Sequence, residues 1–263
     1  MFLPNKIYIN DIEADEISNR YYFDNSENST NTFKLIWYYK INSTRNMFYT
    51  CHNIIEIDFS NFDTSQVTDM GLMFACCSSL ISLNISNFNT SLVTRMEYMF
   101  NGFDSLISLN LSHFNTSKVT NMHRMFESSS SLRILDLSNF DVSQVTDIGD
   151  IFCRCSSLIS FYISNFYSPK VTHIEGIFSG CQSLISLNIS TLDTSAVTSI
   201  DYMFYRSYKL EYINLKKAEL PEVQYKNNMF NSVSSNLTIC SEKEGWSIFF
   251  TNKINVYCHN INY

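Results

Sequence analysis

Eight cysteines and five histidines are the residues of this chain whose chemistry first suggests a site, for a metal ion or for redox work. Cys153 and Cys155 form a Cys-x-Cys pair, and with His173 they would make half of a zinc site. Structural zinc sites usually use Cys-x-x-Cys pairs, and no second pair follows here at zinc-finger spacing. The sequence therefore predicts no metal ion and no cofactor.

Four of the cysteines share one place in a repeated sequence, which gives them a simpler role. They are Cys51, Cys77, Cys155 and Cys181, and other repeats have Phe103, Ser129 and Ser207 at that place. Because a free cysteine behaves as a small apolar side chain, we expect these four to pack inside the protein. The histidines fall at different places in the repeat, so we expect them at the surface without a shared partner. They are His52, His113, His123, His173 and His259.

Known catalytic motifs are missing from the sequence. It contains no Gly-rich phosphate loop, no His-Glu-x-x-His helix and no Gly-x-Ser-x-Gly elbow. We therefore predict no catalytic residues and a protein that is not an enzyme, although a triad assembled across repeats stays open. The net charge of -7 also argues against nucleic acid as a partner, because phosphate binding needs clustered Lys and Arg.

Targeting signals give no firm location. The chain has no apolar run of 18 residues, so we predict no transmembrane segment. The first residues lack the layout of a signal peptide. The protein is therefore expected to be either intracellular, or a fragment or mature segment whose targeting pieces lie elsewhere.

A 26-residue repeat organises the chain and must position any site. The dipeptide Val-Thr returns every 26 residues from Val67 to Val197 without an insertion, and Ile41 and Val223 extend the frame to eight repeats. Periods of 20 to 50 residues are typical of solenoids and propellers. Each repeat also has one phenylalanine at the same place: Phe48, Phe74, Phe100, Phe126, Phe152, Phe178, Phe204 and Phe230.

Each repeat contains two hydrophobic periods. Val93, Met96, Met99 and Phe100 are spaced by three and four, which predicts a short helix, with Thr94 or Ser91 as its cap. Later in the repeat, apolar and polar residues alternate as Leu109-Asn-Leu-Ser112, which predicts a strand. Since neither half is stable alone, neighbouring repeats must stack.

Stacking strands in the same register produces a parallel sheet. We predict an α/β solenoid, a leucine-rich-repeat-like right-handed superhelix with one short helix and one strand per coil and a continuous parallel sheet. Leu132, Leu135 and Leu137 match the Leu-x-x-Leu-x-Leu motif, but Phe140 stands where Asn or Cys is usual. An aromatic spine is therefore expected from Phe62, Phe88, Phe114, Phe140 and Phe166. A propeller is the alternative, although its blades need about 40 residues.

The repeat resembles the 26-residue repeat of the BspA-like bacterial surface proteins, a leucine-rich-repeat family. Two phrases carry the resemblance: Leu135-Asp-Leu-Ser-Asn-Phe140-Asp-Val-Ser-Gln-Val-Thr146, and Val93-Thr-Arg-Met-Glu-Tyr-Met-Phe100. The resemblance implies a cell-surface or secreted protein that functions in adhesion or partner binding, without catalytic residues. The implied adhesion is an analogy from the fold.

Both ends of the solenoid need caps. We predict an N-terminal segment and cap at residues 1–40, eight repeats at 41–236 and a C-terminal cap at 237–263. The aromatic run from Phe33 to Ile41 is expected to close the first coil. In the C-terminal cap we predict two strands flanking a short helix near Gly245, and a disulfide between Cys240 and Cys258 is expected if the protein is extracellular.

The outward side of the sheet is the predicted binding surface, for a protein or for a cell-surface or matrix ligand. Most outward places repeat the same polar residue, so residues that depart from the repeat are the best candidates, with Tyr162 and Tyr212 at the centre. Chance drift at solvent-exposed places is the alternative. The candidates are Arg133, Ile134, Asp136, Phe161, Tyr162, Glu211 and Tyr212.

A second candidate surface is a line of isoleucines, here called the isoleucine column. It would mark an interface if exposed, but we expect neighbouring coils to bury it. It consists of Ile55, Ile81, Ile107, Ile159 and Ile185. The sequence as a whole predicts a non-enzymatic binding module for surface adhesion or protein–protein interaction. An intracellular leucine-rich-repeat scaffold is the alternative.

Overall fold

The computed structural model describes residues 4–14, 31–162, 168–192, 195–215 and 227–241. A small antiparallel sheet precedes the first coil. Its strands are β1 (Lys6–Ile9), β2 (Ile12–Glu13) and β3 (Phe33–Ile36), in the order β2-β1-β3. The Trp37 ring then meets Phe62 edge-on, with ring centroids 5.3 Å apart. Trp37 therefore contacts the first coils, whereas Phe33, Tyr38 and Tyr39 of the aromatic run are 45–69% exposed.

The strands of the coils are three residues long and parallel. They are β4 (Glu56–Asp58), β5 (Ser82–Asn84), β6 (Ile134–Asp136), β7 (Ser160–Tyr162), β8 (Ser186–Asn188), β9 (Tyr212–Asn214) and β10 (Thr238–Cys240). Each pairs with the residue 26 positions away, as Leu135 does with Phe161. The pairs are β4-β5, β6-β7 and β8-β9-β10, and a single bridge joins Ser108 to Ile134. The parallel register is confirmed, but this sheet is made of short segments and is not continuous.

The predicted helices are wrong, because the described residues contain only strands, bridges, turns and bends. Val93, Met96, Met99 and Phe100 are fully buried, as a helix would require. However, Met99 N donates to Met96 O at 3.2 Å, which closes a four-residue turn, and Phe100 N donates to Met125 O of the next coil at 2.9 Å. Alternate amides thus bond between coils, whereas a helix would bond them within one segment.

Left-handed backbone at two places in every coil is the physical reason for these turns. Tyr98 and Gly102, for example, have φ of 56° and 73°. One left-handed residue is enough to break a helix, at a cost of about 1–2 kcal/mol for a residue with a Cβ. The first place holds Asn46, Leu72, Tyr98, Arg124, Asp150, Gly176, Tyr202 and Asn228; the second holds Thr50, Cys76, Gly102, Ser128, Arg154, Gly180, Arg206 and Ser232.

The predicted caps also have other roles. Thr94 Oγ1 donates to Thr68 O of the preceding coil at 3.1 Å, and Ser91 Oγ donates to Asn89 Oδ1 at 2.7 Å.

A ladder of parallel bridges runs through the segment that was predicted to be helical, and it links more coils in succession than the strands do. It joins Ser43, Asp69, Arg95, Asn121, Asp147, His173 and Ser199 in succession.

A stack of phenylalanine rings fills the centre of the coils. Neighbouring rings from Phe48 to Phe230 lie nearly parallel, with centroids 5.3 to 6.0 Å apart. The other aromatic spine is only partly as predicted. Phe88, Phe114 and Phe140 are buried, but Phe114 meets Phe100 of the central stack at 6.3 Å, and Phe166 lies outside the described residues.

Buried threonines connect the coils beside this stack. Thr64, Thr90 and Thr116 are each 1% exposed. The Thr90 hydroxyl donates to Asn115 O at 3.0 Å and accepts from Asn115 N at 2.8 Å. The same pair of bonds joins Thr64 to Asn89 and Thr116 to Asp141. Each hydroxyl therefore satisfies an amide and a carbonyl of the next coil, where the interior admits no water.

At the other end of the described chain, β10 extends the repeat register, with Ile239 opposite Ile213. Cys240 is bonded in a disulfide. Its predicted partner, Cys258, lies outside the described residues, as does the predicted helix near Gly245, so that pairing stays a prediction.

Candidate binding surfaces

The strands present alternate residues to solvent. In β6, Ile134 and Asp136 are exposed while Leu135 is buried, and Asp136 lies opposite Tyr162 of β7. Tyr162 and Ile134 are 56% and 55% exposed, which is high for large apolar side chains. They lie diagonally across the two strands on one face, because the register places Ile134 opposite Ser160 and Tyr162 two residues further along that strand.

The other predicted binding residues are only partly on this face. Arg133 and Glu211 are exposed, and Tyr212 is half-buried. Tyr162 and Tyr212 are two coils apart, or roughly 10 Å along the solenoid, so they belong to one side without forming a cluster. The structure thus brings Arg133, Ile134, Asp136 and Tyr162 together and leaves Glu211 and Tyr212 at a distance.

Phe161 is a correction to the predicted patch. Its ring meets Phe152 and Phe178 edge-on, with centroids 4.6 and 5.7 Å away. It occupies the inward place of β7, which Leu135 occupies in β6, because successive strand residues point to opposite faces. Phe161 therefore packs against the core, is only partly exposed, and is not an outward residue of the patch.

The repeated Asn and Asp of the outward face support the backbone more than they offer a binding surface. Each accepts a hydrogen bond from the amide two residues later, as Asn110 Oδ1 does from Ser112 N at 3.0 Å. These Asx turns follow the strands at Asp58, Asn84, Asp136 and Asn188 as well. Sequence reasoning missed them, although Asn/Asp-x-Ser at a fixed place in each repeat was the available signal.

The isoleucine column is exposed, so the expectation that neighbouring coils bury it was wrong. Its five side chains are 40–61% exposed. They immediately precede the three-residue strands, whose central residue points inward. Strict alternation would turn the isoleucines inward as well, but they lie before the strands and do not follow that pattern. Small residues flank the column in the strands, namely Ser82, Ser108, Ser160 and Ser186. The isoleucines therefore form an apolar ridge along one side of the coils.

A charged cluster on the bridge ladder was not predicted from the sequence. Glu97 is 6% exposed and forms an ion pair with Arg45 two coils earlier. Arg45 also contacts Asp69 at 3.3 Å, and Arg95 Nε lies 3.5 Å from Glu97. Residues 24 to 52 positions apart thus meet because the coils stack, and a charge pattern across repeats is difficult to recognise along a linear sequence.

His123 pairs with an acidic side chain, which the sequence did not predict. Its Nδ1 lies 3.2 Å from Asp147 Oδ1, and both side chains are 29% exposed. The hydrogen bond with Asp147 raises the pKa of His123. Burial acts to raise the pKa of Asp147, but the bonds from His123 and the Gly149 amide outweigh it and lower that pKa. The pair is therefore favoured in its charged form.

The His123–Asp147 pair should make stability depend on pH. Because the folded-state pKa of His123 is raised, its contribution is fully present below the ordinary histidine pKa and is lost as the pH rises through the folded-state value. We expect the free energy of unfolding to fall by about 0.5–1 kcal/mol between pH 5.5 and 8.5 from this pair. Urea unfolding at both pH values measures it. His123→Gln should remove that part of the change, and an equal change in the variant would contradict the assignment.

The thiols are buried and poorly reactive. Cys77, Cys155 and Cys181 are fully buried, as predicted, whereas Cys51 is half-buried. Each buried thiol lies 3.0–3.2 Å from a phenylalanine carbonyl 29 residues earlier. Burial raises the pKa of Cys77 to about 12 and that of Cys153 to about 11. The nucleophilic thiolate is therefore scarce at neutral pH.

No group of three potential ligands among the described His, Cys, Asp and Glu residues is arranged to hold a metal ion. Within the described ranges, no helix is long and apolar enough to span a bilayer.

The fold and these surfaces define a repeat solenoid with 26-residue coils. Residues 42–158 and 131–242 match the family DUF285, described as "Mycoplasma protein of unknown function". Because the matches cover more than half of the chain, the protein belongs to this family. No curated protein matches the chain. A crystal structure of a leucine-rich repeat protein from Bacteroides ovatus is similar at 18% identity and a TM-score of 0.39, over 75% of this chain and 57% of that one.

Proposed function

We propose that this chain is a non-enzymatic binding module of the BspA-like leucine-rich-repeat type, displayed at the cell surface or secreted, which binds a protein or matrix ligand through the strand side of its coils. The observation that carries the proposal is the exposure of Ile134 and Tyr162 on adjacent strands. Large side chains of this kind are the usual anchors of protein interfaces. Most other outward places are small or polar, which suits a surface where a few anchors supply the affinity.

Charge and thiol chemistry support the remaining parts of the proposal. The net charge of -7 disfavours nucleic acid as the ligand. The raised pKa values of the buried cysteines suit structural thiols in place of nucleophiles. The module is accordingly proposed to bind without catalysing a reaction.

An intracellular scaffold is the second candidate, and the cysteines bear on the choice. Six of them are free: Cys51, Cys76, Cys77, Cys153, Cys155 and Cys181. Free thiols are usual in a reducing compartment, which favours the scaffold, whereas the disulfide at Cys240 favours an oxidising one. Surface display is preferred here because three of these six thiols are buried and burial raises the pKa of all six, which disfavours the readily oxidised thiolate.

Replacing Tyr162 and Tyr212 with serine should weaken ligand binding about tenfold or more, because both residues supply contact area on the strand side. Binding of the purified full chain to immobilised collagen and fibronectin, and to whole cells, measures the effect. Tyr49→Ser with Tyr202→Ser is a matched control, because these exposed tyrosines lie on the turn segments. Equal binding by both double variants would contradict the proposal that Tyr162 and Tyr212 belong to the ligand-binding surface.

A further inference from the structure

The isoleucine column carries a charge at two of its coils. Arg133 occupies the place between Ile107 and Ile159, and Glu211 occupies the place that follows Ile185. Both are exposed. Among the described residues neither side chain makes an ion pair, and three coils, or roughly 15 Å, separate them. They cannot reach each other within one chain, so one cation and one anion interrupt the ridge, and the described part of the chain gives neither an ion-pair partner.

The two charges are placed symmetrically on the ridge. Arg133 lies one coil before Ile159, and Glu211 lies one coil after Ile185. The midpoint between Ile159 and Ile185 is therefore also the midpoint between the opposite charges. A twofold axis through that point exchanges Ile159 with Ile185 and Arg133 with Glu211. The ridge is thus complementary to a copy of itself in the reversed direction, as an isologous interface requires.

We propose that the partner of this ridge is a second copy of the chain, packed antiparallel about that axis. Ile159 of one copy then meets Ile185 of the other, and Arg133 meets Glu211 on both sides of the centre. The inference rests on the proposed function, because it uses the same strand side as a binding surface. It goes further by naming the occupant and the register.

Other registers of the same antiparallel packing are less favourable. Centring the axis on Arg133 brings two arginines together, and centring it on Glu211 brings two glutamates together. A shift of one coil toward the N-terminus places Arg133 against Ile159 and Glu211 against Ile81, which buries both charges against apolar groups. Like-charge contacts and unpaired buried charges each cost several kcal/mol at an interface. Among the registers that keep both charged residues within the overlap, the one with Arg133 opposite Glu211 avoids both costs.

Geometry and area also suit a second copy. Two copies of one solenoid have the same rise per coil, so the spacing of side chains along the ridge is the same in both copies. The serines beside the isoleucine column leave room for the ridge of the other copy. In the overlapping coils, Ile107, Ile134, Ile159 and Ile185 and the two charged side chains expose on the order of 500 Å² per copy, which reaches the lower limit for a specific dimer.

Analytical ultracentrifugation of the full chain over about 1–200 µM tests the proposal. We expect a monomer–dimer equilibrium with a dissociation constant in the micromolar range. Arg133→Glu and Glu211→Arg should each weaken the dimer at least about tenfold, and the double exchange should restore it, because the pair re-forms with reversed charges. Ile159→Ser should also weaken it at least tenfold. Ile55→Ser is the matched control, since its coil lies outside the overlap.

The outcomes separate this inference from the proposed function. A wild-type chain that stays monomeric throughout overturns the dimer, and a dimer that the charge reversals leave unchanged overturns the register. Failure of the double exchange to restore dimers, with each variant's folding verified by circular dichroism, overturns the Arg133–Glu211 pairing. Dependence of ligand binding on Tyr162 and Tyr212 is a separate result, because it is measured on a foreign ligand and the dimer variants leave both tyrosines unchanged.

Discussion

Phe126→Ala should lower the free energy of unfolding by about 3–5 kcal/mol, the range for removing a buried phenylalanine from a tight core. Phe126 is fully buried, and its ring stacks between Phe100 at 5.6 Å and Phe152 at 5.8 Å. The substitution removes contacts with both neighbours and leaves a cavity in the middle of a solenoid, where stability depends on the interfaces between adjacent coils. Urea unfolding monitored by circular dichroism measures the loss.

Phe48→Ala is the matched control for this prediction. Phe48 occupies the same place in the first coil and also stacks on the next ring, Phe74, but it is only partly buried. We expect a cost of about 1–2 kcal/mol there, since less apolar area is removed from the interior. Equal losses of unfolding free energy at both positions would show that burial of the rings between coils is not what stabilises the protein.

The sequence pattern predicts the core of this protein better than its backbone. The repeat of 26 residues places Val93, Met96 and Phe100 inside, and all three are fully buried. The same spacing of three and four suits a helix or a series of four-residue turns equally well. What distinguishes the two is the sign of φ at residues such as Leu72 and Tyr98, which ordinary side chains do not reveal.

A weak signal for the turns was nevertheless present. Gly102 and Gly180 fall at the same place in different repeats, and Gly176 falls at the other left-handed place. Glycine is the residue that tolerates positive φ without cost, so its return at two fixed places indicates left-handed backbone there. The remaining repeats fill those places with residues whose strain is offset by hydrogen bonds between coils, such as that from Tyr98 N to His123 O at 3.0 Å.

The candidate surfaces were predictable only in part, for a related reason. Alternation along a strand correctly places Ile134, Asp136 and Tyr162 outside. It fails for the isoleucine column, because β-branched apolar residues are expected inside and the strands turn out to be only three residues long. Contacts across coils, such as Arg45 with Glu97, depend on the stacking itself and therefore required the structure.

Thr90→Val is expected to cost about 2–4 kcal/mol of unfolding free energy, although it preserves the size and shape of the side chain. The hydroxyl of Thr90 satisfies both the amide and the carbonyl of Asn115, at a place that is 1% exposed. Valine offers no polar atom, so both backbone groups lose their partner where water does not reach them. Each buried group left unsatisfied costs about 1–3 kcal/mol.

Thr90→Ser separates the hydrogen bonds from the packing. Serine keeps the hydroxyl and loses one methyl group, so its cost should stay near 1 kcal/mol. The measured order in urea unfolding should therefore be wild type, then serine, then valine. The reverse order of the two variants would mean that the methyl group, and not the pair of bonds between coils, is what Thr90 contributes. Because Thr64 and Thr116 make the same bonds, the valine variants at those places should show losses of similar size.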